Sequence, residues 1–539
     1  MKTKRIGVAA IALAAAGALV LTGCASGSPE STGAASDSAI ISVNNTEPQN
    51  PLVPTNTNEV GGGKIVDSIF AGLIAYEADG TAVNDVAESI ETEDSQNYTI
   101  TIRDGLTFTN DEPVTAQSFV DAWNYGAALD NAQFASYFFN SIEGYSADEN
   151  VEAMSGLVVV DDTTFTVKLM QPESDFPLRL GYSAYMPMPS VAYEDMEAFG
   201  EDPIGNGPYM LEGEGAWKHN EGIKLVANPD YDGPREPQNG GIDMRFYASA
   251  DASYADLQGG NLDMVDEIPD SALTSFQDEF DGSVNQAAAL NATLTFPQDR
   301  MPHFAGDEGK LRRAAVSMAI DREEVTDVIF SGSRIPAKDF SSPVIEGFSE
   351  DIPGSEVLEF NPEEAAALWA QADAISPWSG TLEIGYNADG PNQGWVDAVA
   401  NQLKNNLGID AVGTPYPTFA EFRDLITTNQ NTIATRAGWQ ADYPALYNWL
   451  GPLFGTGAAS NDGDYSNPAF DALLAEGLGA ATPEAGIEKF QEAEAILFED
   501  LPVIPLWNTA ALGAWNSNLS NVEFGWNSVP LFHEITKSE

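Results

Sequence analysis

The chain has 539 residues, with 82 acidic residues against 23 basic residues, a formal net charge of −59 and a hydrophobic fraction of 43%. This length is too great for one compact core and predicts two or three domains, which the apolar fraction is sufficient to fill. So negative a surface repels nucleic acid and anionic lipid, which excludes a nucleic-acid-binding protein.

The chain begins with the pattern of a signal peptide. Lys2, Lys4 and Arg5 form a positive flank, and residues 6–21 are an unbroken run of 16 apolar or small residues. A helix needs about 20 such residues to cross the hydrocarbon core of a bilayer, so this run is short for a membrane span. We therefore predict that residues 1–23 are a cleaved signal peptide and that the remainder is exported.

Cys24 is the only cysteine, and it closes Leu21-Thr22-Gly23-Cys24, the pattern of a bacterial lipoprotein. Lipid on Cys24 would anchor the mature chain, since acyl chains contribute about 0.8 kcal/mol per buried methylene. The alternative is an ordinary cleaved signal followed by a cysteine that occurs there by chance. Residues 24–38 are rich in Ser, Gly and Ala and predict a flexible tether. A single cysteine also excludes internal disulfides.

The first half of the folded part contains short runs with the alternation of strands. These predicted strands are residues 39–43, 98–102, 163–169 and 223–227. In the second half, Asn361 precedes Pro362 and two glutamates, which together indicate a capped helix start. Thr418 and Glu421 have the spacing of a capping box and predict another.

Residues 380–436 alternate between strand and helix patterns. The strands are predicted at residues 382–386, 409–413 and 432–436. The helix between the first two carries an apolar stripe that stops at Gly408, formed by Val396, Val399, Ala400, Leu403 and Leu407. This order is that of α/β units with two crossovers.

A series of short phrases runs collinearly through nearly the whole mature chain. They are FAGL at 70–73, RDGLTF at 103–108, PVTA at 113–116, GNGPY at 205–209, NPDY at 228–231, GGNLD at 259–263, RAAVSMAIDR at 313–322 and AGWQADY at 437–443. Together they resemble the extracytoplasmic solute-binding proteins of peptide ABC importers, the oligopeptide- and dipeptide-binding family, also called family 5. That family usually has threonine in place of Asn206.

The resemblance implies an α/β fold of the periplasmic-binding-protein-like type II, with two main lobes and an additional inserted lobe. The first lobe would comprise residues 39–85, 204–286 and 504–539, the inserted lobe residues 86–203, and the ligand-clamping lobe residues 287–503. Ligand would lie between the first and clamping lobes, which close about a hinge of crossing strands. Such closure shifts the population of molecules towards the closed conformation, to which the ligand binds more tightly.

By similarity, Asp442 is expected to hold the amino group of a peptide. An ammonium that loses its water without gaining a partner costs several kcal/mol, so a counter-charge is required. Trp439 and Tyr443 would provide apolar walls, and Arg436 lies six residues earlier. The alternative is that Asp442 merely caps a helix or turn before Pro444.

The resemblance implies further ligand contacts in the same cleft. They are expected at Asn58, Val60, Tyr137, Gly438, Gln440 and Trp507. For Tyr137 and Trp507 the alternative is burial in a core, which is the usual fate of a lone tryptophan. Residues 61–63 are three glycines, which either let a ligand backbone approach closely or form an ordinary flexible loop.

The resemblance implies a carrier and not an enzyme. We expect a monomeric, lipid-anchored substrate-binding protein on the extracytoplasmic face of the cell membrane. It would capture oligopeptides by lobe closure and deliver them to the permease subunits of an ABC importer. Neither a cofactor nor a bound metal is expected.

Functions from other classes make different demands on the residues. A secreted hydrolase is one alternative, but the chain offers it abundant carboxylates and no Gly-x-Ser-x-Gly motif. A metal carrier is another, but its histidine ligands could only be the widely spaced His219, His303 and His533. An oligosaccharide carrier of the same family stays open, because 10 tryptophans and 17 tyrosines provide stacking surfaces. Such a carrier would not depend on the charge of Asp442.

Overall fold

The computed structural model describes residues 38–57, 59–388, 390–458 and 460–538. The predicted signal peptide, Cys24, the tether up to residue 37 and Asn58 lie outside the described residues. Among the helices of the described ranges, none combines the length and the apolar character that crossing a bilayer requires.

Strands are distributed over the whole described chain. They are β1 (Ile40–Asn45), β2 (Ile74–Tyr76), β3 (Ala82–Asn84), β4 (Ala87–Thr92), β5 (Asn97–Ile102), β6 (Leu157–Val159), β7 (Thr164–Lys168), β8 (Tyr209–Leu211), β9 (Trp217–Lys218), β10 (Gly222–Ala227), β11 (Gly241–Phe246), β12 (Met264–Val265), β13 (Gly282–Thr295), β14 (Arg334–Pro336), β15 (Thr381–Asn387), β16 (Asp410–Tyr416), β17 (Ala434–Gln440), β18 (Val503–Trp515), β19 (Leu519–Ser520) and β20 (Thr536–Lys537). The four strands predicted in the first half are confirmed as β1, β5, β7 and β10.

The longer helices concentrate in the second half. The α-helices are α1 (Val60–Ile69), α2 (Ala116–Ala127), α3 (Phe176–Arg179), α4 (Met196–Glu201), α5 (Ala250–Gln258), α6 (Phe276–Glu279), α7 (Gly306–Met318), α8 (Arg322–Val328), α9 (Pro362–Ile375), α10 (Gln393–Leu407), α11 (Phe419–Thr427), α12 (Leu446–Phe454), α13 (Pro468–Leu478) and α14 (Pro483–Asp500).

Predicted helix ends are confirmed in their hydrogen bonds. The Asn361 side chain accepts from the Glu364 amide at 3.1 Å at the start of α9, and Thr418 accepts from the Glu421 amide at 3.2 Å at the start of α11. The last helical residue of α10 is followed by Gly408 in the left-handed region, with φ +69°. There the missing Cβ removes the steric cost of that conformation.

The predicted α/β region is also confirmed. β15 pairs in parallel with both β16 and β17, and helices α10 and α11 form the two crossovers. The stripe predicted on α10 faces inward, with Val396, Val399, Ala400 and Leu403 buried. The strand ends differ from the prediction by a few residues, most of all for β17, which continues to Gln440.

One large sheet crosses the molecule. Its strand order is β16-β15-β17-β13-β18-β12-β1-β11-β10-β8, with β14 added to β18 and β9 to β10. The central pair, β13 and β18, is antiparallel and runs from Gly282 opposite Trp515 to Thr295 opposite Val503. A separate antiparallel sheet, β4-β5-β7-β6, belongs to the region between β1 and β8.

The central pair is interrupted by a bulge in β13. Its register jumps between Ala287, opposite Ala510, and Asn291, opposite Asn508. Within the bulge, the Ala289 amide donates to the Trp526 carbonyl at 2.7 Å, and the Ala289 carbonyl accepts from the Ala441 amide at 3.0 Å. The bulged residue therefore remains hydrogen-bonded, but to two other segments of the chain.

The two large hydrophobic cores meet at this bulge. One core contains Ile41 and Phe119 and reaches Ala288, whereas the other contains Leu294 and Trp449 and reaches Ala289. A third, small core forms around helix α5. The bulge thus marks the boundary between two separately packed parts of the molecule.

Candidate ligand-binding cleft

A cavity of about 260 Å³ lies where five segments of the chain converge. Its walls come from helix α1 with the loop before it, Tyr76, residues 181–183, residues 440–442 and residues 526–529. We call this cavity the cleft. Because its walls derive from both large cores, a molecule bound there would contact both.

Asp442 lies in the cleft wall, two residues beyond β17. The Asn448 side chain orients it, because its Oδ1 accepts from the Asp442 amide at 2.9 Å and its Nδ2 donates to the Asp442 carboxylate at 3.1 Å. Burial raises the pKa of Asp442 to about 6, and the bond from Asn448 opposes this shift only in part. Within the described residues, no basic side chain forms an ion pair with Asp442.

Tyrosines surround this carboxylate. The pKa values of Tyr137, Tyr182 and Tyr443 are all raised, first by burial of their hydroxyls and in part by the negative charge of Asp442. Tyr182 lines the cleft itself. Aromatic faces attract cations, so the surroundings of Asp442 suit an ammonium group better than an anion.

Gln440 and Val60 also line the cleft. The Gln440 side chain donates to the Asn527 carbonyl at 3.4 Å, which joins the end of β17 to the C-terminal segment. Val60 is the first residue of α1 and is 48% exposed. These two residues and Asp442 are the predicted ligand contacts that the structure brings together around one cavity.

The three glycines that follow Val60 form the first turn of α1, so the flexible-loop alternative is wrong. A Cβ on Gly61 would lie 2.5 Å from the Thr46 hydroxyl, which explains why this position requires glycine. A Cβ on Gly63 would meet no atom within 4 Å, and Gly63 lines the cleft. The open face of Gly63 leaves room for a ligand backbone to approach the helix.

Trp439 and Gly438 face a second cavity, of about 310 Å³, on the other side of the strand end. The Trp439 indole donates to Asn448 Oδ1 at 3.1 Å, so a single asparagine fixes both Trp439 and Asp442. Eight of the other 16 residues in its wall are aromatic or aliphatic. Arg423 and Asp462 also line it and form a bidentate pair, with contacts of 2.6 and 2.8 Å.

Two of the predicted ligand contacts, Trp507 and Arg436, lie outside the walls of both cavities. Trp507 is only 2% exposed, and its ring packs edge-on against Phe330 and Trp395, so it belongs to a core as the alternative prediction had it. The Arg436 guanidinium donates to Asn387 at 2.9 Å and lies over the rings of aromatic residues of α11. Neither residue lines either cavity.

Tyr137 is 47% exposed and lies beside the cleft, not in its wall. Its ring lies against Phe138 at a centroid distance of 4.5 Å, and Phe138 stacks on Tyr182 at 4.3 Å. Tyr137 therefore contacts the wall through an aromatic stack.

Sequence reasoning missed several cleft residues. Asn448 lies six residues after Asp442, but an asparagine in a helix gives no signal of its own. Asp67 and Lys64 line the cleft from α1, one turn apart, and neither belongs to a phrase that carries the family resemblance. Trp526 and Asn527 reach the cleft by a long-range return of the chain, which no local pattern indicates.

Comparison with known proteins provides independent information. Residues 81–461, more than half of the chain, match the family model described as bacterial extracellular solute-binding proteins, family 5 middle. The chain is 26% identical over 532 residues to the oligopeptide-binding protein OppA of Bacillus subtilis (strain 168), with 94% of each covered. It is 27% identical over 526 residues to the periplasmic oligopeptide-binding protein OppA of Escherichia coli (strain K12), with 94% of this chain and 93% of that protein covered.

Solved structures share the same architecture. The ABC transporter substrate-binding protein CtaP of Listeria monocytogenes matches with a TM-score of 0.79 at 20% identity, over 94% of this chain and all of the other. At that identity the likeness concerns the fold.

Proposed function

The chain belongs to the bacterial extracellular solute-binding proteins of family 5, and from this premise we propose that it captures oligopeptides by lobe closure for an ABC importer. The family assignment confirms the resemblance seen in the sequence, and the α/β fold predicted from it is confirmed by the large mixed sheet and the matching structures. Proteins of this family are components of transporters and not enzymes.

One observation carries the peptide proposal: Asp442 lies in the cleft as a partly buried carboxylate whose polar contacts come from a neutral asparagine. A buried carboxylate without a cation is costly in the empty protein, and a peptide amino group removes that cost when it binds. A charge-assisted hydrogen bond in such a site is among the stronger polar contacts. An uncharged sugar would leave the carboxylate unneutralised.

Val60 and Gly63 supply the second part of the proposal. An extended peptide offers unpaired backbone donors and acceptors whatever its side chains, and it requires close approach to protein backbone. The open Cβ position of Gly63 permits that approach at the start of α1. The second cavity, beyond Trp439, offers an apolar space for a side chain of the same ligand.

We assign the hinge of closure to the central strands. β13 and β18 run between the two large cores, and the bulge at Ala289 lies where the cores meet. The proposed lobes keep the predicted boundaries, with residues 287–503 as the clamping lobe. Small-angle scattering with and without a saturating mixture of tri- to pentapeptides tests closure, and an unchanged profile contradicts it.

Calorimetric titration with the same peptides tests the ligand class. We expect Asp442→Asn to weaken binding at least about 30-fold, as loss of one partner of a desolvated charge pair does. N-acetylation of a binding peptide should have a similar effect on the wild-type protein. Asp104→Asn, at an exposed position, is the matched control for the loss of one negative charge. Equal binding of free and acetylated peptides contradicts the proposal, and binding of oligosaccharides alone supports the other carrier class.

The lipid anchor is a separate part of the proposal and is supported by the sequence around Cys24. We expect wild-type protein to fractionate with membranes and to incorporate labelled fatty acid. Cys24→Ala should release the protein from the membrane without changing peptide affinity. Membrane retention of this variant without label would instead indicate an anchor other than lipid.

A further inference from the structure

The charges in the cleft do not balance. Among the described residues, its wall contains the acids Glu59, Asp67 and Asp442 and one cation, Lys64. Lys64 is buried and forms an ion pair with Asp266, which is outside the cleft wall. The Lys64 ammonium is therefore already neutralised by another carboxylate.

Glu59 is occupied by the protein backbone. Its side chain caps helix α1 by accepting from the Gly62 amide at 2.9 Å, and it also accepts from the Gln49 amide at 3.2 Å. A carboxylate at a helix N-terminus is stabilised by those amides and by the helix dipole. Glu59 accordingly requires no cation from a ligand.

Asp67 has no such arrangement. It projects from α1 into the cleft, and within the described residues its carboxylate accepts no hydrogen bond. Arg235, whose charge acts on Asp67, donates to the backbone carbonyl of Asp67 at 2.6 Å and to the Asp85 carboxylate at 3.2 and 3.3 Å. Asp85 is 1% exposed, so the charge of Arg235 is needed there.

Asp67 and Asp442 line the same cavity from two different segments of the chain, helix α1 and the residues after β17. Tyr76 and Tyr182 both line the cleft, and the charges of Asp67 and Asp442 each raise the pKa values of both tyrosines, after the larger effect of burial. Burial also raises the pKa of Asp67 to about 6, with the charge of Arg235 as the opposing influence. Two carboxylates thus share one aromatic-walled cavity.

We propose that Asp67 is a specificity-determining residue that binds a second positive charge close to the peptide amino terminus, so that the cleft selects peptides whose first residue is basic. The inference rests on the proposed function, in which Asp442 holds the amino group itself. One amino group neutralises one carboxylate and leaves the other buried and unpaired. A lysine, ornithine or arginine at the first position brings both charges into a cavity of about 260 Å³.

The test compares peptides that differ only in this charge. Lys-Ala-Ala and norleucine-Ala-Ala have first side chains of similar length, and only the first is charged at neutral pH. Ala-Lys-Ala has the same charge one residue further along. Each is titrated calorimetrically into wild-type protein, Asp67→Asn and the charge control Asp104→Asn.

We expect wild-type protein and Asp104→Asn to bind Lys-Ala-Ala at least about tenfold more tightly than norleucine-Ala-Ala, because a charge-assisted contact in a desolvated site is strong. Ala-Lys-Ala should lose most of this advantage. Asp67→Asn should reduce the ratio to about threefold or less, mainly by weakening Lys-Ala-Ala. Asparagine keeps the size of the side chain, and thermal unfolding establishes that the variant is folded.

The outcomes separate this inference from the function on which it rests. If wild-type protein binds both tripeptides equally, Asp67 does not select charge, whereas the peptide-binding function stands. An unchanged ratio in Asp67→Asn likewise overturns the role of Asp67. If wild-type protein binds none of the peptides, the proposed function fails and the specificity fails with it. The wild-type ratio involves no variant, so it decides the question even if Asp67→Asn does not fold.

Discussion

Two sites with buried acids lie close to each other, and they differ in whether an arginine neutralises them. Glu173 and Asp175 share Arg179, with contacts of 2.7 and 2.9 Å, and all three side chains are 6–7% exposed. The same guanidinium lies over the rings of Tyr443 and Tyr447, which follow Asp442 in sequence. Asp442 itself receives no such cation within the described residues.

The unpaired charge of Asp442 is therefore not due to a lack of arginine nearby. Arg179 lies over the Tyr443 ring, but its charge is already paired with Glu173 and Asp175. Removing one partner from a buried ion pair leaves a charge uncompensated and lowers stability, whereas a buried carboxylate that has no cation already carries this cost in the folded protein.

The largest effect is expected from Arg179→Ala, which would leave two buried carboxylates uncompensated. We expect the free energy of unfolding to fall by about 3–5 kcal/mol, measured by urea denaturation at pH 7. Arg179→Lys should restore part of the loss because it keeps the charge. Lys168→Ala, which breaks an exposed pair with Glu143, is the control and should cost about 0–1 kcal/mol. A small effect of Arg179→Ala would show that the two groups of acids do not differ.

The next effect is expected from Asn448→Ala, which removes the hydrogen bonds that position Asp442 and the Trp439 indole. We expect peptide affinity to fall about 10- to 30-fold, since each unmade buried bond costs about 1–3 kcal/mol. Asn392→Ala is the matched control. Asn392 accepts from the Trp395 indole at 3.3 Å but does not line the cleft. Equal losses in both variants would mean that Asn448 acts through general stability alone.

Binding should also depend on pH in the range where Asp442 ionises. Only the ionised carboxylate pairs with an ammonium, and the peptide amino group stays charged below about pH 7. Because the pKa of Asp442 is about 6, we expect affinity for an alanine-initiated peptide to rise up to about tenfold per pH unit from pH 5 and to level off near pH 7. Asp442→Asn should abolish most of this dependence, and a flat wild-type profile would contradict the assignment.

The smallest effect concerns the stability of the empty protein. A carboxyl whose pKa is raised on folding binds its proton more tightly in the folded state. Its contribution to the stability of the folded protein is therefore present below about pH 4 and is lost as pH rises through about 6. At pH 7 we therefore expect Asp442→Asn to increase the free energy of unfolding by about 1 kcal/mol. Thermal unfolding without peptide measures this change. If Asp442→Asn lowers the free energy of unfolding instead, Asp442 stabilises the folded protein as Glu173 and Asp175 do.

Local structure could be predicted from the sequence wherever the cause is local. The caps at Asn361 and Thr418, the stop at Gly408 and the parallel unit around β15 depend on neighbouring residues, and all four are confirmed. The membership of the family could be predicted because its phrases extend along most of the chain. The positions of strand ends are less well determined by local patterns, as β17 shows.

The candidate site could be predicted only in part, because its geometry depends on long-range return of the chain. Asp442 was identified by resemblance, but Asn448, which orients it, and Trp526, which closes the wall, have no distinguishing local pattern. Trp507 shows the opposite case. Its side chain lies in a core, where it packs against Phe330 and Trp395, and a lone tryptophan does not reveal which face of its strand is buried.

The bulge at Ala289 has a mechanical consequence. Extra residues on one strand of a ladder fix its register, because sliding by one residue would move the bulge and turn every side chain to the wrong face. β13 and β18 can therefore twist relative to each other but cannot slip. With Ala289 also hydrogen-bonded to Ala441 and Trp526, a twist at this point moves the neighbour of Asp442 directly. In the closure that we propose, the sheet would therefore turn at this point with its strand register unchanged.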